Sequence, residues 1–435
     1  MSQLKCSPVD KVGNHKVCGC IVPPGLSSIQ VMTVGSLLLV VFCLFVVQAA
    51  KASSDAAKND NLSHIFKYYV LFDVNAKIII TDESLLCGAP KLSFIQKKQF
   101  FSSNRLRGVL DEWEECITFV GSITLNQTVM LEIHFAPLQG YTEDCYRRIH
   151  HALCGGVDDY YTPFLRLEHG KLRSKDLRDV KPENNVGVPV VPQLIVRDVK
   201  ELDALLQVIR LMGYQRVDIN MGCPFPLQTN HGRGAGLLAR PDEVRCLCEK
   251  MATNSDLAFS VKMRIGLTTR DEWRTILPML NDIPLTHVAV HPRLASQGYK
   301  GEVDMEAFGE LYAVCRHRLI YNGDITSVED IIRIEKSFPN LQGVMIGRGL
   351  LARPSLGEEY RKGVILPDDE VIKTIKAMHD GMAAAYARFI PGENQLLMKL
   401  RTFWDFMEPT IGRKPWKKIH KAGHMRNYLA AVAEL

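Results

Sequence analysis

The chain has 435 residues, 46% of them hydrophobic and 23% charged, with a net charge of +5. It can hold two or three domains and a sizeable core, its composition is that of an ordinary globular protein, and its charge is too mild to demand a polyanionic partner without local clustering. Twelve scattered cysteines, whose only close pairs (Cys18/Cys20 and Cys246/Cys248) have C-x-C spacing, argue against a disulfide framework or a metal site and for a reducing compartment.

The first third does not match the rest. Val31–Ala50 is an almost unbroken apolar run, and about 20 such residues suffice to cross a bilayer. With Ala50-Lys51-Ala52 as a small-residue cleavage site, it reads as a signal peptide or signal anchor. Lysines on both sides leave its orientation open. Residues 51–129 show no sustained period. A third reading is that residues 1–129 are an upstream extension from a misplaced start and form no part of the functional protein. The regular pattern begins at Met130.

From there short apolar runs alternate with helical stretches, which predicts repeated βα units and a parallel sheet. Strands are expected near Leu131–Pro137, Tyr160–Leu165, Val188–Ile195, Arg216–Asn220, Phe259–Arg264, His287–His291, Leu319–Asn322 and Gly343–Ile346. Helices between them include Asp198–Met212, Pro241–Met251 and Ser327–Ser337. Eight such units make a (β/α)8 TIM barrel, whose site lies at the C-terminal strand ends. Polar residues fall there: Gln139, Gln193, Asn220, Lys262, Arg264, His291, Arg293, Asn322 and Arg348. Each alone has a bland reading as a surface group, a satisfied histidine or a turn, but their collection at one rim points to a common site.

The fourth strand, with Val217 and Ile219 alternating with Asp218 and Asn220, stops at Gly222 and Pro224 and exposes one thiol, Cys223. The Gly-rich segment Gly232–Gly236 follows. Such a thiol is either a reactive group or a small buried apolar residue. After the seventh and eighth strands come Asn322-Gly323-Asp324 and Ile346-Gly347-Arg348-Gly349. Barrels bind phosphate at these loops through backbone N–H groups, so a phosphate-bearing cofactor is expected; two glycine turns closing a barrel are the alternative.

The motifs Ala136–Gly140, Gln193, Asn220-Met221-Gly222-Cys223-Pro224, Gly234–Leu238, Val261–Gly266, Val290-His291-Pro292-Arg293, Asn322-Gly323-Asp324 and Met345–Arg348 agree in order and spacing with one family. From Met130 to about Lys362 the chain resembles the tRNA-dihydrouridine synthases, flavin enzymes that reduce uridines in tRNA. The resemblance implies bound FMN, with Pro137, Leu138 and Gln139 beside the ring. Gln193 and Lys262 would touch its polar edge, His291 would lie nearby, and Asn322, Gly323, Asp324, Gly347 and Arg348 would hold its phosphate. Cys223 would donate the proton to C5 of the base, Asn220 would face that base, and Arg264 and Arg293 would contact substrate. NADPH as reductant rests on the family alone, since no dinucleotide fingerprint is visible. The chain departs from the family pattern after Cys223-Pro224, where a lysine is common and Phe225-Pro226-Leu227 stands here. It departs again after His291, at Pro292 and Leu294.

Beyond about Pro367 two amphipathic helices are expected, Val371–Phe389 and Glu393–Met407. A basic, aromatic-interleaved segment follows: Arg413, Lys414, Trp416, Lys417, Lys418, His420, Lys421, Arg426, Tyr428. It is either a solvated face or a surface for the tRNA backbone, with Lys417 and Lys418 as contacts. The expectation is therefore an unassigned extension (1–129), a TIM-barrel FMN domain (130–362) and a small helical tRNA-binding domain (363–435), in a cytoplasmic monomer without metal, membrane-associated only if the apolar run is retained. A flavin reductase of a free pyrimidine, or an RNA-binding protein with incidental redox activity, are the rivals.

Overall fold

The structure, a computed structural model, describes residues 130–435 and, ahead of them, four short strands in two antiparallel pairs: Val17–Gly19 with Gln30–Met32, and Tyr68–Phe72 with Ile78–Asp82. The remainder of the apolar run 31–50, and most of residues 51–129, lie outside the described residues. Residues 1–123 and 124–435 are separate compact units. Among the described residues no helix is long and apolar enough to cross a membrane.

Eight parallel strands form the second unit: β1 (Glu132–Phe135), β2 (Asp159–Tyr161), β3 (Val190–Val191 and Gln193–Leu194), β4 (Arg216–Met221), β5 (Ala258–Gly266), β6 (Leu285–Leu294), β7 (Leu319–Tyr321) and β8 (Gly343–Ile346). Pro192 splits β3, because proline has no N–H to give to a ladder. The first half of β3 pairs with β2 and the second half with β4. With β4-β5-β6-β7-β8-β1-β2 paired in sequence, this divided strand closes the barrel. All eight expected strands are present; β5 and β6 run longer than their apolar cores suggested, whereas β2 is shorter.

Helices cover the outside. Val199–Leu211 is capped by Asp198, whose side chain accepts the Glu201 N–H at 2.9 Å, and it buries Leu202, Leu205, Leu206 and Ile209, the spacing of one helical face. Burying each such side chain is worth roughly 1.5–3 kcal/mol. Gly213, at φ +77°, follows its end, where an αL residue costs least if it is glycine. Val328–Ser337 opens on a reciprocal pair in which Ser327 and Asp330 satisfy each other's backbone N–H.

The C-terminal helices, beginning with Asp368–Ala387 and Glu393–Thr402, share the barrel's hydrophobic core. The second expected helix stops at Thr402, and Phe403–Met407 turns so that Phe403, Trp404 and Met407 are buried. Asp368–Ala387 packs on Asp144–Leu153, the helix after β1. Tyr141 donates to Asp405 at 2.9 Å and Lys399 donates to the Gly140 carbonyl at 3.0 Å. The loop that carries Pro137, Leu138 and Gln139 is thus pinned from outside the barrel.

Candidate active site

The barrel lumen explains which residues form the site. A small core separate from the main one consists of Ala136, Tyr161, Val191, Ala289, Ile320 and Met345. Side chains on a strand repeat every two residues. Leu138, Gln193, His291, Asn322 and Gly347 lie two residues beyond members of this core, on the same inward face at the C-terminal rim. On β4 and β5 the corresponding lumen positions are polar. Asp218 and Ser260 are buried and bonded to each other at 2.6 Å, and two residues further on come Asn220 and Lys262. One parity rule therefore brings seven of the expected residues together.

A chain of hydrogen bonds crosses β5, β4 and β3. Ser260 donates to one oxygen of Asp218 at 2.6 Å, and Gln193 Nε2 donates to the other at 2.7 Å. Asn220 Nδ2 donates to Gln193 Oε1 at 2.8 Å. Asn220 Oδ1 then accepts the backbone N–H groups of Gly222 (3.0 Å) and Cys223 (2.8 Å). The Lys262 ammonium, beside Asp218, makes no hydrogen bond or salt bridge with another described residue, and burial followed by the Arg264 charge lowers it to about 8.

Cys223 is buried, and that burial pushes its thiol above the ordinary value; the Phe225 backbone N–H and the charges of Arg264 and Lys262 oppose the shift. Gly234 packs on it from the Gly-rich segment, and Ala235 donates its N–H to the Cys223 carbonyl at 3.1 Å. Arg264, only 2% exposed, braces the same loop by donating to the Gly222 carbonyl at 3.0 Å and to the Leu294 carbonyl at 2.8 Å. The expected substrate arginine is thus engaged inside the protein. Phe225 and Leu227, just beyond Cys223-Pro224, are 58% and 64% exposed.

At the other side of the rim, Asp324 joins two loops. Arg293 grips its carboxylate through both terminal nitrogens, and Arg348 donates to it at 2.9 Å. Hydrogen bonding to Arg293 holds that carboxyl below its usual range. Arg293, also nearly fully buried, donates to His291 Nε2 at 3.2 Å. That bond makes Nε2 the acceptor, so the neutral ring carries its proton on Nδ1. Burial, then Arg264, Lys262, Arg293 and Arg348, keeps His291 far below its usual value. Asn322 Nδ2 is tied to the Met345 carbonyl at 2.6 Å. A Cβ on Gly349 would stand 2.1 Å from the Ile325 carbonyl oxygen, and one on Gly347 would stand 3.3 Å from Leu138. Both glycines let the two loops and the β1 end close on one another.

Four cations (Lys262, Arg264, Arg293, Arg348) thus face two carboxylates (Asp218, Asp324), both held within hydrogen-bonded pairs. The rim is net positive, and it offers an unpaired Lys262 ammonium at β5 and Gly-rich loops after β7 and β8. These residues fit an anionic, phosphate-bearing cofactor such as FMN. Gln139 Nε2 donates to the Phe164 carbonyl at 3.0 Å, beside Pro137 and Leu138. Lys417 and Lys418 lie far along the chain, on the exposed face of Arg413–Lys421; Lys418 pairs with Glu434, whereas Lys417 has no ion pair among the described residues. Asp218, Ser260 and Tyr299 were not foreseen. Arg264 and Arg348 both sit over the Tyr299 ring, at 5.5 and 4.9 Å. The strand alternation that singled out Asn220 already marked Asp218; nothing in the sequence pattern marked Tyr299. Among the described residues no cluster of side chains is arranged to hold a metal ion.

A closed parallel barrel with a positive, Gly-lined rim at its C-terminal strand ends is the architecture of a barrel enzyme that uses a phosphate-bearing cofactor. Residues 134–427 match the family model for dihydrouridine synthase (Dus), more than half of the chain. The chain belongs to the dihydrouridine synthase family. It is 27% identical to the tRNA-dihydrouridine(16) synthase of Pseudomonas putida over 69% of this chain and 88% of that one. It is 31% identical to a probable tRNA-dihydrouridine synthase 2 of Bacillus subtilis over 35% of this chain and 47% of that one. Among solved structures it is similar to a morphinone reductase, with a TM-score of 0.39 and 12% identity over 55% of this chain and 88% of that one.

Proposed function

We propose that the chain is an FMN-dependent tRNA-dihydrouridine synthase, which uses NADPH to reduce the 5,6 double bond of a uridine in tRNA. The observation that carries this reading is the placement of the buried Cys223 thiol on the same rim as an unpaired Lys262 and the Gly-rich anion loops.

Bound FMN, once reduced, would supply the hydride for C6 of the uracil. Lys262 and the free lone pair of Gln193 Oε1 would hold its ring edge, with Pro137, Leu138, Gln139 and His291 alongside. Asn322, Gly323, Asp324, Gly347 and Arg348 would hold its phosphate; because Arg293 and Arg348 take up the Asp324 carboxylate, that residue offers its backbone rather than its charge. Cys223 gives its proton to C5. A thiol raised by burial is almost wholly protonated at neutral pH, as a general acid must be. The thiolate left behind faces the Phe225 N–H and the charges of Arg264 and Lys262, then recovers a proton from water. Asn220 has one N–H left to face the base, which must leave the RNA stack to reach it. Arg264 and Arg293 act on the substrate by bracing the Cys223 loop and Asp324. Lys417 and its basic neighbours dock the tRNA backbone.

The test is mass-spectrometric detection of dihydrouridine after the purified full chain meets NADPH and unmodified tRNA. Formation by the wild type and a loss of 100-fold or more in Cys223→Ala, in keeping with the usual worth of a general acid, support the reading. Turnover of free uracil with tRNA untouched would replace it by a reductase of free pyrimidines.

A further inference from the structure

We infer that Asp218 is a positioning residue for the Cys223 loop: its carboxylate sets the direction of the amide chain that runs through Gln193 and Asn220 to the backbone of Gly222 and Cys223. The inference rests on the reading of Cys223 as the acid, and it concerns how that acid is held.

A side-chain amide has an acceptor end and a donor end of nearly equal shape, and only its partners decide which way it points. This chain has two fixed ends. At the far end are two backbone N–H groups, which can only donate. At the near end is Asp218, fully buried and accepting from Ser260 and Gln193. Burial pushes its carboxyl up to about 6, against the hydrogen bonds from Ser260 and Gln193 and the charges of Lys262 and His134. The Ser260 and Gln193 donors on its two oxygens and the Lys262 charge beside it favour the ionised form, which accepts only. Gln193 must turn its NH2 to Asp218 and its oxygen to Asn220. Asn220 must in turn spend its NH2 on Gln193 and its oxygen on the loop. Every link agrees, at 2.6–3.0 Å throughout. A reversed amide anywhere would set donor against donor or acceptor against acceptor in a buried site, where unsatisfied groups are costly.

The chain can be reversed by exchanging its ends. Asn220→Asp keeps an acceptor for the Gly222 and Cys223 N–H groups but has no NH2 for Gln193. Gln193 must then flip and turn its oxygen onto the Asp218 carboxylate. Adding Asp218→Asn removes that conflict: Asn at 218 donates to the flipped Gln193 and still accepts from Ser260. The double exchange also conserves charge.

The four proteins (wild type, D218N, N220D and D218N/N220D) would be compared by melting temperature and by alkylation of Cys223 with iodoacetamide, read by mass spectrometry with the exposed Cys246 as internal reference. N220D should melt roughly 4 °C or more below wild type and react severalfold faster at Cys223. The double variant should recover most of both losses, and D218N alone should fall short of wild type by less than N220D. A double variant no better than N220D would overturn the relay, since two independent structural losses add. Should N220D fail to fold, recovery of a folded flavoprotein by D218N/N220D supports the relay, and failure of both overturns it. Cys223→Ala assayed for dihydrouridine in parallel judges the acid separately: full activity there would sink the acid while leaving the suppressor result to decide the relay.

Discussion

Gly234 stands so close to Cys223 that a Cβ at Gly234 would lie 2.8 Å from the Cys223 Cβ and 2.9 Å from its carbonyl oxygen. Gly234 also has φ +58°, a region that costs an L-residue about 1–2 kcal/mol. Gly234→Ala should therefore lower stability by more than this backbone cost and displace the proton donor, cutting dihydrouridine formation tenfold or more. Gly213→Ala is the control: φ is +77° but the space around it is open, so only the backbone cost should appear in its thermal melt. Equal losses of stability and activity in the two variants would show that the contact with Cys223 constrains nothing.

The parity of the strands makes most of this site legible in the sequence. In β4 the pattern Val217-Asp218-Ile219-Asn220 already separates outward apolar residues from inward polar ones, and Cys223 follows where the strand must stop. What stayed hidden depends on contacts across the barrel. Arg264 and Arg293 stand at strand ends, where function is expected, but that their guanidinium groups donate to Gly222, Leu294, Gly301 and Asp324 depends on partners that only the closed barrel brings near. The break of β3 at Pro192 follows from the residue itself, but the fact that only its second half reaches both β4 and Leu165 does not. In the C-terminal region Phe403–Met407 reads as the end of a helix, whereas it forms a turn in which Trp404 packs under Tyr428 with a hydrogen bond of 2.8 Å.

Lys262 should make flavin affinity depend on pH. Its ammonium is lowered to about 8 by burial and by Arg264, so in the empty site it is charged below that value and loses its proton above it. An electron-rich ring edge needs the charged form. The Kd for FMN, titrated by fluorescence quenching on apoprotein, should be flat below pH 7 and rise towards tenfold per unit above pH 8. In Lys262→Met the whole curve should be weaker and level. A wild-type Kd constant from pH 7 to 9.5 would remove Lys262 from the flavin contacts.

The acid should have its own pH signature. Burial raises the Cys223 thiol, and a proton donor works only below its pKa. Transfer from pre-reduced enzyme to tRNA, followed in a single turnover, should stay level through pH 8 and decline only above the ordinary thiol value of about 8.5. Cys223→Ser, whose hydroxyl does not titrate in this range, should be much slower and show no such decline. If the wild-type rate fell already between pH 6 and 8, the group that titrates would be something other than this thiol.

The basic helix Arg413–Lys421 separates docking from chemistry. Lys414, Lys417 and Lys421 are exposed at helical spacing, and no ion pair engages them among the described residues, whereas Lys418 is paired with Glu434. Each phosphate contact contributes roughly 0.7–0.9 to the slope of log K against log salt. Replacing Lys414, Lys417 and Lys421 by Gln together should make that slope shallower by about 2–3 units and weaken tRNA binding at low salt. Lys418→Gln should change it less, because Glu434 already offsets that charge. The flavin spectrum and its bleaching by NADPH should be the same as in wild type, since the helix touches none of the rim residues named above. An unchanged slope in the triple variant, with affinity intact, would make this face a solvated surface and move the tRNA contacts to another part of the chain.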